Sequence, residues 1–190
     1  MALCKQAKTL TEGQQRVILA HLNAGRLAKR NRVMFLLSID AALRSKEIAS
    51  LEWGMLTDAT GALTDEIRLQ DRVSKGRSGG VVFMSRRLKA ALAEHSQGQS
   101  LSGRVLKSYR GGELTAQVVT NWFFNLYREL GFEGCSSHSG RRTAITTWAR
   151  KISSVGGSLR DVQALARHSS IATTQKYIEI SENACRRVVG

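Results

Sequence analysis

Apolar residues recur at a helical period along most of this chain, and one stretch near the middle breaks that period. Between residues 55 and 84 the apolar segments become short, and glycine-rich turns separate them. A break of this kind predicts a mainly α-helical fold that carries a small three-stranded antiparallel sheet. The expected strand positions are Leu56, Leu63, Ile67, Leu69, Val73 and residues 81–84, the last of these following a glycine-rich hairpin at 75–80.

Helical segments are predicted on both sides of the sheet. The first begins with a capping box formed by Thr11 and Gln14 and ends near Asn23. A glycine break at 156–157, followed by Ser158 as an N-cap, separates the last two segments. The remaining helices are expected from near Lys29, after Leu43, and over residues 85–95, 115–130, 139–152 and 159–167.

The charge of the chain indicates a polyanionic partner. Its 29 Lys and Arg residues against 15 Asp and Glu residues give a net charge of +14. Residues 13–39, 72–93 and 134–160 each contain several bases and no acid. The neutralisation of phosphates by Lys and Arg side chains supplies most of a protein's non-specific affinity for nucleic acids. These runs therefore favour a nucleic-acid partner. An acidic membrane surface explains the charge less well, because no predicted helix is strongly amphipathic with an aromatic face.

Simpler features exclude membrane, secreted and zinc-finger proteins. No apolar run approaches the roughly 18 residues of a membrane span, and the N-terminal residues lack the apolar centre of a signal peptide. Cys4, Cys135 and Cys185 are far apart and form no CxxC pair, which argues against a disulfide framework or a zinc site. We therefore expect a cytoplasmic, nucleoid-associated protein with no metal site and no membrane partner.

Polar residues suited to phosphate chemistry occur in a defined order along the chain. They are Arg44, Glu47, Lys75, His138, Arg141, His168 and Tyr177. His138 and Arg141 are three residues apart where a helix is predicted to begin, so their side chains share one face of its first turn. An imidazole and a guanidinium placed in this way can converge on one anion.

This order resembles that of the tyrosine recombinases, also called phage-integrase-type site-specific recombinases. Residues 42–48 (ALRSKEI) are similar to the family's first-arginine box, and residues 165–177 (LARHSSIATTQKY) are similar to its C-terminal signature. The resemblance covers about residues 10–185. It implies the catalytic-domain fold of that family and a site-specific recombinase, of the integration and excision type, that breaks and rejoins DNA through a 3′-phosphotyrosine intermediate.

The residue types suit this reaction. Cutting a phosphodiester by covalent catalysis needs a nucleophile and positively charged side chains that contact the non-bridging oxygens. Tyr177 is the candidate nucleophile. Arg44 and Arg141 always carry charge and can each offer two parallel donors to a phosphate, which stabilises the pentacovalent transition state.

The remaining candidates are proton carriers and supporting groups. His138 suits general acid–base catalysis on the tyrosine, and His168 suits a hydrogen bond to a phosphate oxygen. Lys75, in the glycine hairpin, can protonate the departing 5′-hydroxyl, and Glu47 can orient neighbouring cations. Arg142 competes with Arg141 for the role of second arginine, and the three-residue spacing from His138 favours Arg141. The bond energy stays in the phosphotyrosine link, so no cofactor is expected.

The chain departs from the family pattern at a few positions. Gly140 stands where the family usually has leucine, and Ala166 and Arg167 replace the usual Leu-Gly before His168. No proline follows the hairpin at residues 82–84. None of these changes removes a reacting group, so activity remains the expectation.

The expected organisation is a single catalytic domain over residues 1–190. Residues 1–10 form a short extension, and the family's separate DNA-clamping domain has no counterpart before them. The chain is therefore either a minimal recombinase or a catalytic fragment. The resemblance implies double-stranded DNA as partner, with two protomers per site and four in the synapse, and a contact between protomers through the tail at 181–190.

Three alternatives remain at this point. A type IB topoisomerase shares the chemistry, although the segment from His168 to Tyr177 favours a recombinase. A non-catalytic DNA-binding regulator would keep the fold without needing the nucleophile, the lysine and both histidines. A generic RNA-binding protein would explain the charge but not the order of the motifs.

Overall fold

Eight α-helices and two β-strands form within residues 6–73, 79–178 and 186, which are the residues that this computed structural model describes. The chain divides into two units, residues 1–144 and residues 145–190. The first unit contains α1 (Glu12–Asn23), α2 (Ala28–Ile39), α3 (Ser45–Ser50), β1 (Glu66–Leu69), β2 (Gly80–Phe83), α4 (Arg86–Ser96) and α5 (Ala116–Glu129). The sixth helix, α6 (Ser139–Lys151), begins in the first unit and ends in the second, which also contains α7 (Leu159–Ala166) and α8 (Ile171–Gln175).

Helix α2 is the centre of the first unit. All seven residues from Val33 to Ile39 are buried, so the helix is surrounded rather than amphipathic. It packs against α1, α3 and α4, and α3 packs against α5. The polar Ser38 is buried with these apolar residues. This arrangement places the end of α2, and the turn that follows it, deep in the unit.

The start of α1 confirms the predicted capping box. Thr11 Oγ1 accepts a hydrogen bond from the Gln14 amide at 3.2 Å, and Gln14 Oε1 accepts one from the Thr11 amide at 2.9 Å. Two amides at the helix start are thereby satisfied by nearby side chains. The predicted helices near Lys29, after Leu43 and over the four later segments are present as α2 to α7.

The predicted third strand is wrong for the described residues. Strands β1 and β2 pair antiparallel, with Glu66 opposite Phe83 and Leu69 opposite Gly80. The stretch from Leu56 to Leu63 contributes a single bridge, between Thr57 and Leu63, instead of a strand.

A tight turn explains why no third strand forms. Asp58 Oδ1 accepts hydrogen bonds from the amides of Thr60 and Ala62, and the Thr64 amide donates to the Leu56 carbonyl at 2.8 Å. These bonds satisfy the backbone locally. The Thr60 hydroxyl, which also donates to Asp58 Oδ1, and the amides of Ala62 and Thr60 lower the pKa of that carboxyl. Val73, also expected in a strand, lies in a 3₁₀ turn at Asp71–Val73. Residues 75–78 of the predicted glycine hairpin, including Lys75, lie outside the described part of the chain, whereas Gly80 begins β2.

The second unit is built from short helices with defined ends. A 3₁₀ turn at Ile152–Val155 follows α6 and ends at Gly156, whose φ of 79° is left-handed. Helix α7 then begins as predicted at Ser158, whose amide and hydroxyl both donate to Asp161 and hold the pKa of that carboxyl below its ordinary value. Helix α8, capped by Ser170, was not predicted. Apart from Arg186, the C-terminal tail at 181–190 lies outside the described residues.

Two features are absent from the described residues. None of their helices combines the length and the apolar character needed to cross a bilayer. They also contain no group of three or more His, Cys, Asp or Glu side chains placed to hold a metal ion.

A buried histidine joins α4 to the loop before α5. His95 is 8% exposed, its ring stacks on Trp53 at 6.1 Å between centroids, and its Nε2 lies 3.0 Å from the Val105 carbonyl oxygen. Burial lowers the pKa of His95, and the charges of Arg30 and Lys29 lower it further, whereas the bond to Val105 opposes the shift. The histidine is therefore held neutral in the folded protein.

This histidine makes the fold sensitive to acid. In the unfolded chain His95 binds a proton below its ordinary pKa of about 6.5, whereas the folded protein resists protonation until a lower pH. Stability should therefore fall as the pH drops from 7 to 5. Thermal unfolding across that range should show a smaller fall in His95→Gln, which keeps an N–H donor for Val105 but does not titrate. An identical fall in both proteins would contradict this assignment.

Candidate active site

Arg44 is held at the start of α3 by a buried glutamate. Glu47 is fully buried; its Oε2 accepts a hydrogen bond from the Arg44 amide at 2.8 Å, and its Oε1 accepts one from Arg44 Nη1 at 2.9 Å. The carboxylate thus caps the helix and fixes the guanidinium, while the Arg44 side chain remains 26% exposed. The arginine is positioned by the fold and still reaches solvent.

Arg141 reaches the same segment from α6. Its Nη1 donates a hydrogen bond to the carbonyl oxygen of Ala42, two residues before Arg44, and the residue is 5% exposed. Ala42 has a φ of 51°, in the left-handed region that residues with a side chain rarely adopt. The first unit therefore brings Arg44, Glu47 and Arg141 together around a turn of unusual backbone geometry.

A close contact between α2 and α6 makes this arrangement possible. A β-carbon at Gly140 would lie 3.0 Å from the β-carbon of Ser38 and 3.2 Å from its backbone carbonyl carbon, with the serine hydroxyl closer still. Only glycine fits at position 140 beside Ser38. The absence of a side chain lets the first turn of α6 approach the end of α2, next to the turn that contains Ala42.

Arg142 and His138 also lie at the start of α6. Arg142 donates to the Gln6 side chain, so the structure brings Arg141, rather than Arg142, to the segment of Ala42 and Arg44. His138 precedes α6; its side chain is exposed, and its amide donates to Ser136 Oγ at 3.3 Å. Lys75 lies outside the described residues.

The second unit brings His168 and Tyr177 together. Their rings stack, with centroids 5.5 Å apart and planes 26° apart. His168 Nδ1 lies 3.0 Å from Thr174 Oγ1, and Thr174 is fully buried. Tyr177 is half-buried, and its carbonyl oxygen accepts a bond from the Thr146 hydroxyl at 3.4 Å. The phenol is thus placed by ring contact and by its backbone, in a unit that also orients the imidazole.

Local backbone geometry holds His168 in this position. The preceding Arg167 ends α7 in the left-handed conformation, with φ 53° and ψ 46°. Gln163 then contacts the backbone of His168 on both sides: its carbonyl accepts from the His168 amide at 3.1 Å, and its Nε2 donates to the His168 carbonyl at 2.9 Å. Gln163 and Thr174 were missed by the sequence analysis, although both lie within six residues of His168.

The chain is similar in sequence to known proteins. The sequence model described as the phage integrase family matches residues 8–184. A curated tyrosine recombinase XerC of Leptospira interrogans serogroup Icterohaemorrhagiae serovar copenhageni (strain Fiocruz L1-130) is 23% identical over 164 residues, which are 84% of this chain and 49% of that protein. This chain thus spans about half the length of that curated relative.

Solved structures share the fold. The Tn1549 transposon integrase in complex with a circular intermediate DNA superposes with a TM-score of 0.77 at 14% identity, over 98% of this chain and 66% of that chain. The XerA recombinase superposes with a TM-score of 0.71 at 18% identity, over 99% of this chain and 64% of that chain. At these identities the likeness is one of fold.

The contact at Gly140 predicts a specific coupling between two substitutions. Gly140→Ala should lower the free energy of unfolding by about 1–3 kcal/mol, because the new methyl group overpacks against Ser38. Ser38→Gly alone should also destabilise α2, by about 0.5 kcal/mol, because glycine has a lower helix propensity than serine. Combined, the two changes should cost less than their sum, because removing the serine side chain makes room for the methyl group.

Urea denaturation of the four proteins measures this coupling, and Gly54→Ala is the matched control. A β-carbon at Gly54 meets no atom within 4 Å, so that variant should stay close to the wild type. Strict additivity at positions 38 and 140 would show that the two residues do not compete for one space.

The buried Glu47 predicts an order of stabilities. Glu47→Ala leaves both the amide and the guanidinium of Arg44 without their acceptor, and should cost about 3 kcal/mol. Glu47→Gln keeps one oxygen as an acceptor but loses the charge, so its cost should be smaller. Urea midpoints should therefore fall from wild type to Glu47→Gln to Glu47→Ala. Equal midpoints for the two variants would contradict this order, because the oxygen kept in Glu47→Gln would then contribute nothing to stability.

Proposed function

The chain belongs to the phage integrase family, the tyrosine recombinases, and from that membership we propose that it is a site-specific recombinase that breaks and rejoins DNA through Tyr177. The observation that carries the proposal is the stack of His168 on Tyr177, with His168 Nδ1 beside the buried Thr174 hydroxyl. A tyrosine that served only the core would not need an oriented imidazole against its ring. The half-buried position of Tyr177 is compatible with attack on an external substrate.

In the proposed first step, the phenolic oxygen of Tyr177 attacks the phosphorus of a DNA phosphodiester. A bond forms between that oxygen and phosphorus, and the bond from phosphorus to the 5′ oxygen breaks. The phenol proton passes to a base, for which His138 is the candidate, and the leaving 5′-oxygen receives a proton from Lys75. His168 supplies a hydrogen bond to a non-bridging oxygen.

The arginines supply the positive charge that this step needs. Arg44 and Arg141 carry positive guanidinium groups, and Arg141 contacts the carbonyl of Ala42, two residues before Arg44. Fixed donors aimed at the developing charge stabilise the transition state without reorganising. Glu47 acts as a positioning residue, because it holds Arg44 in a single orientation.

The second step reverses the first with a different strand. A free 5′-hydroxyl attacks the 3′-phosphotyrosine, the bond from phosphorus to the phenolic oxygen breaks, and Tyr177 regains its proton. The energy of the original phosphodiester is kept in the covalent link, so the cycle needs no nucleotide cofactor. A net exchange results when the attacking strand comes from a second site.

We propose double-stranded DNA as the substrate, supported by the net charge of +14 and by the DNA-bound Tn1549 integrase among the structural neighbours. The proposed assembly is two protomers per site and four in the synapse, and the proposed location is the cytoplasm, in association with the nucleoid. Residues 1–190 would act as the catalytic domain, and the tail at 181–190 would contact a neighbouring protomer.

Covalent capture on DNA tests the reaction. A nicked duplex taken from sequences that flank the gene lets the cut strand diffuse away, so the phosphotyrosine link accumulates as an adduct that resists SDS. We expect the adduct with the wild-type protein and its complete loss in Tyr177→Phe. Tyr127→Phe is the matched control, because it removes the same hydroxyl from a tyrosine of the first unit whose hydroxyl has no hydrogen-bond partner among the described residues, and it should leave the adduct intact.

The outcomes separate the competing functions. An adduct that persists in Tyr177→Phe would overturn the assignment of the nucleophile. Binding to the cognate duplex without any adduct would favour a regulator. If the adduct forms, joining of strands from two different sites supports the recombinase, whereas relaxation of supercoiled DNA without exchange would favour a topoisomerase.

A further inference from the structure

A second basic surface lies at the opposite end of α2 from the two arginines of the candidate site. Arg44 follows the C-terminal end of this helix, whereas Arg26 and Arg30 lie at its N-terminal end. The 12 residues of α2 span about 18 Å at 1.5 Å per residue. A phosphate held by Arg44 is therefore out of reach of the side chains at the other end.

A small hairpin completes this surface. Lys107 and Glu113 form an antiparallel bridge, and the turn between them closes with the Ser108 amide donating to the Gly112 carbonyl at 2.7 Å. Gly111 has a φ of 84°, which suits glycine in a tight turn. The turn presents Tyr109 and Arg110 side by side, and Tyr109 is 64% exposed.

Two arginines of the α2 end hold the hairpin in place. Arg26 Nη1 donates to the Tyr109 hydroxyl at 2.6 Å, and its guanidinium lies 5.0 Å from the centre of the Tyr109 ring. Arg30 Nη1 donates to the Lys107 carbonyl at 3.1 Å. Burial lowers the pKa of Arg30 from its ordinary value. Arginine side chains therefore hold the hairpin in a defined position against the end of α2.

The cations of this surface are not neutralised by acids. Within residues 6–73 and 79–178, the nearby Glu94 pairs with Lys29 and Arg32, and Glu113 pairs with Arg104. In the same part of the chain, Arg26, Arg30, Lys107 and Arg110 make no ion pair within 4 Å. Four such cations with an exposed aromatic ring fit a phosphate backbone and a base or sugar that can contact the ring.

We propose that Arg26, Lys107, Tyr109 and Arg110, supported by Arg30, form a second nucleic-acid-binding surface, which we call the distal basic surface. The choice of a nucleic acid as partner rests on the proposed function, whereas the surface itself rests on its own contacts. Its ligand is the phosphate backbone of duplex DNA beyond the cleavage site. That backbone belongs either to the flank of the cleaved duplex or to a separate duplex.

Salt dependence measures the contribution of this surface. Each phosphate contact adds about 0.9 to the slope of log affinity against log salt concentration. Arg26→Gln combined with Arg110→Gln should therefore lower the slope on long duplexes by about 1.8, and should weaken binding roughly tenfold or more at 0.1 M salt. Arg16→Gln combined with Arg128→Gln is the matched control, since both arginines are exposed and the charge change is the same.

Three DNA probes locate the ligand. The first is a short duplex limited to the cleavage site, the second is the same duplex with long flanks, and the third is a labelled duplex offered to protein already bound to an immobilised one. If the Arg26→Gln and Arg110→Gln double variant has a smaller salt slope on the flanked duplex but captures the labelled duplex normally, the surface contacts the flank. If the double variant keeps its salt slope but no longer captures the labelled duplex, the surface contacts a second duplex. Both effects must be absent from the matched control.

Two results would overturn the proposal. One is a salt slope on the flanked duplex that is the same for the Arg26→Gln and Arg110→Gln double variant as for the wild type, together with unchanged capture of the labelled duplex. The other is an equal loss in the matched control, which would reduce the effect to net charge. Formation of the Tyr177 adduct on the short nicked duplex is scored separately, so failure of the proposed chemistry leaves this test intact.

Discussion

The hydrogen bond from Arg141 to the carbonyl of Ala42 is the constraint on which the first unit's part of the site depends. It requires the first turn of α6 to approach the end of α2, which glycine at position 140 permits beside the buried Ser38. It also ends on a residue in the left-handed region, where a side chain costs about 1 kcal/mol or more. The fold therefore loses some stability at Ala42, and in return the buried Arg141 contacts the backbone two residues before Arg44. This is the kind of local strain that functional sites commonly contain.

Much of the architecture could be predicted because its signals are local. The capping box of α1 uses residues three apart, and the apolar period of α4 to α7 is long enough to be recognised within one segment. The motifs around Arg44 and Tyr177 are likewise contiguous, so their residue types were recognisable without a structure. Position along the helix also explains why Arg141, one residue before Arg142, faces a different neighbour.

The rest depends on contacts between distant segments or on elements too short to show a period. Helix α8 has five residues, of which only Thr174 is buried, so no apolar pattern marks it. The expected third strand does not form because Asp58 and Thr64 close a turn through side-chain hydrogen bonds. Strand propensities carry no information about such bonds. The complete burial of Glu47 and the contact between Ser38 and Gly140 are equally invisible in the sequence, since burial is set by the packing of several helices at once.

The contact between Ser38 and Gly140 also has an evolutionary meaning. Tyrosine recombinases usually carry leucine where this chain has Gly140, and a leucine there could not coexist with the present spacing of α2 and α6. A larger residue at position 140 is therefore tolerated only together with a change in α2 that makes room for it. Each of the two positions therefore limits which residues the other can hold. We expect homologous chains with this helix spacing to keep glycine at 140 together with serine at 38.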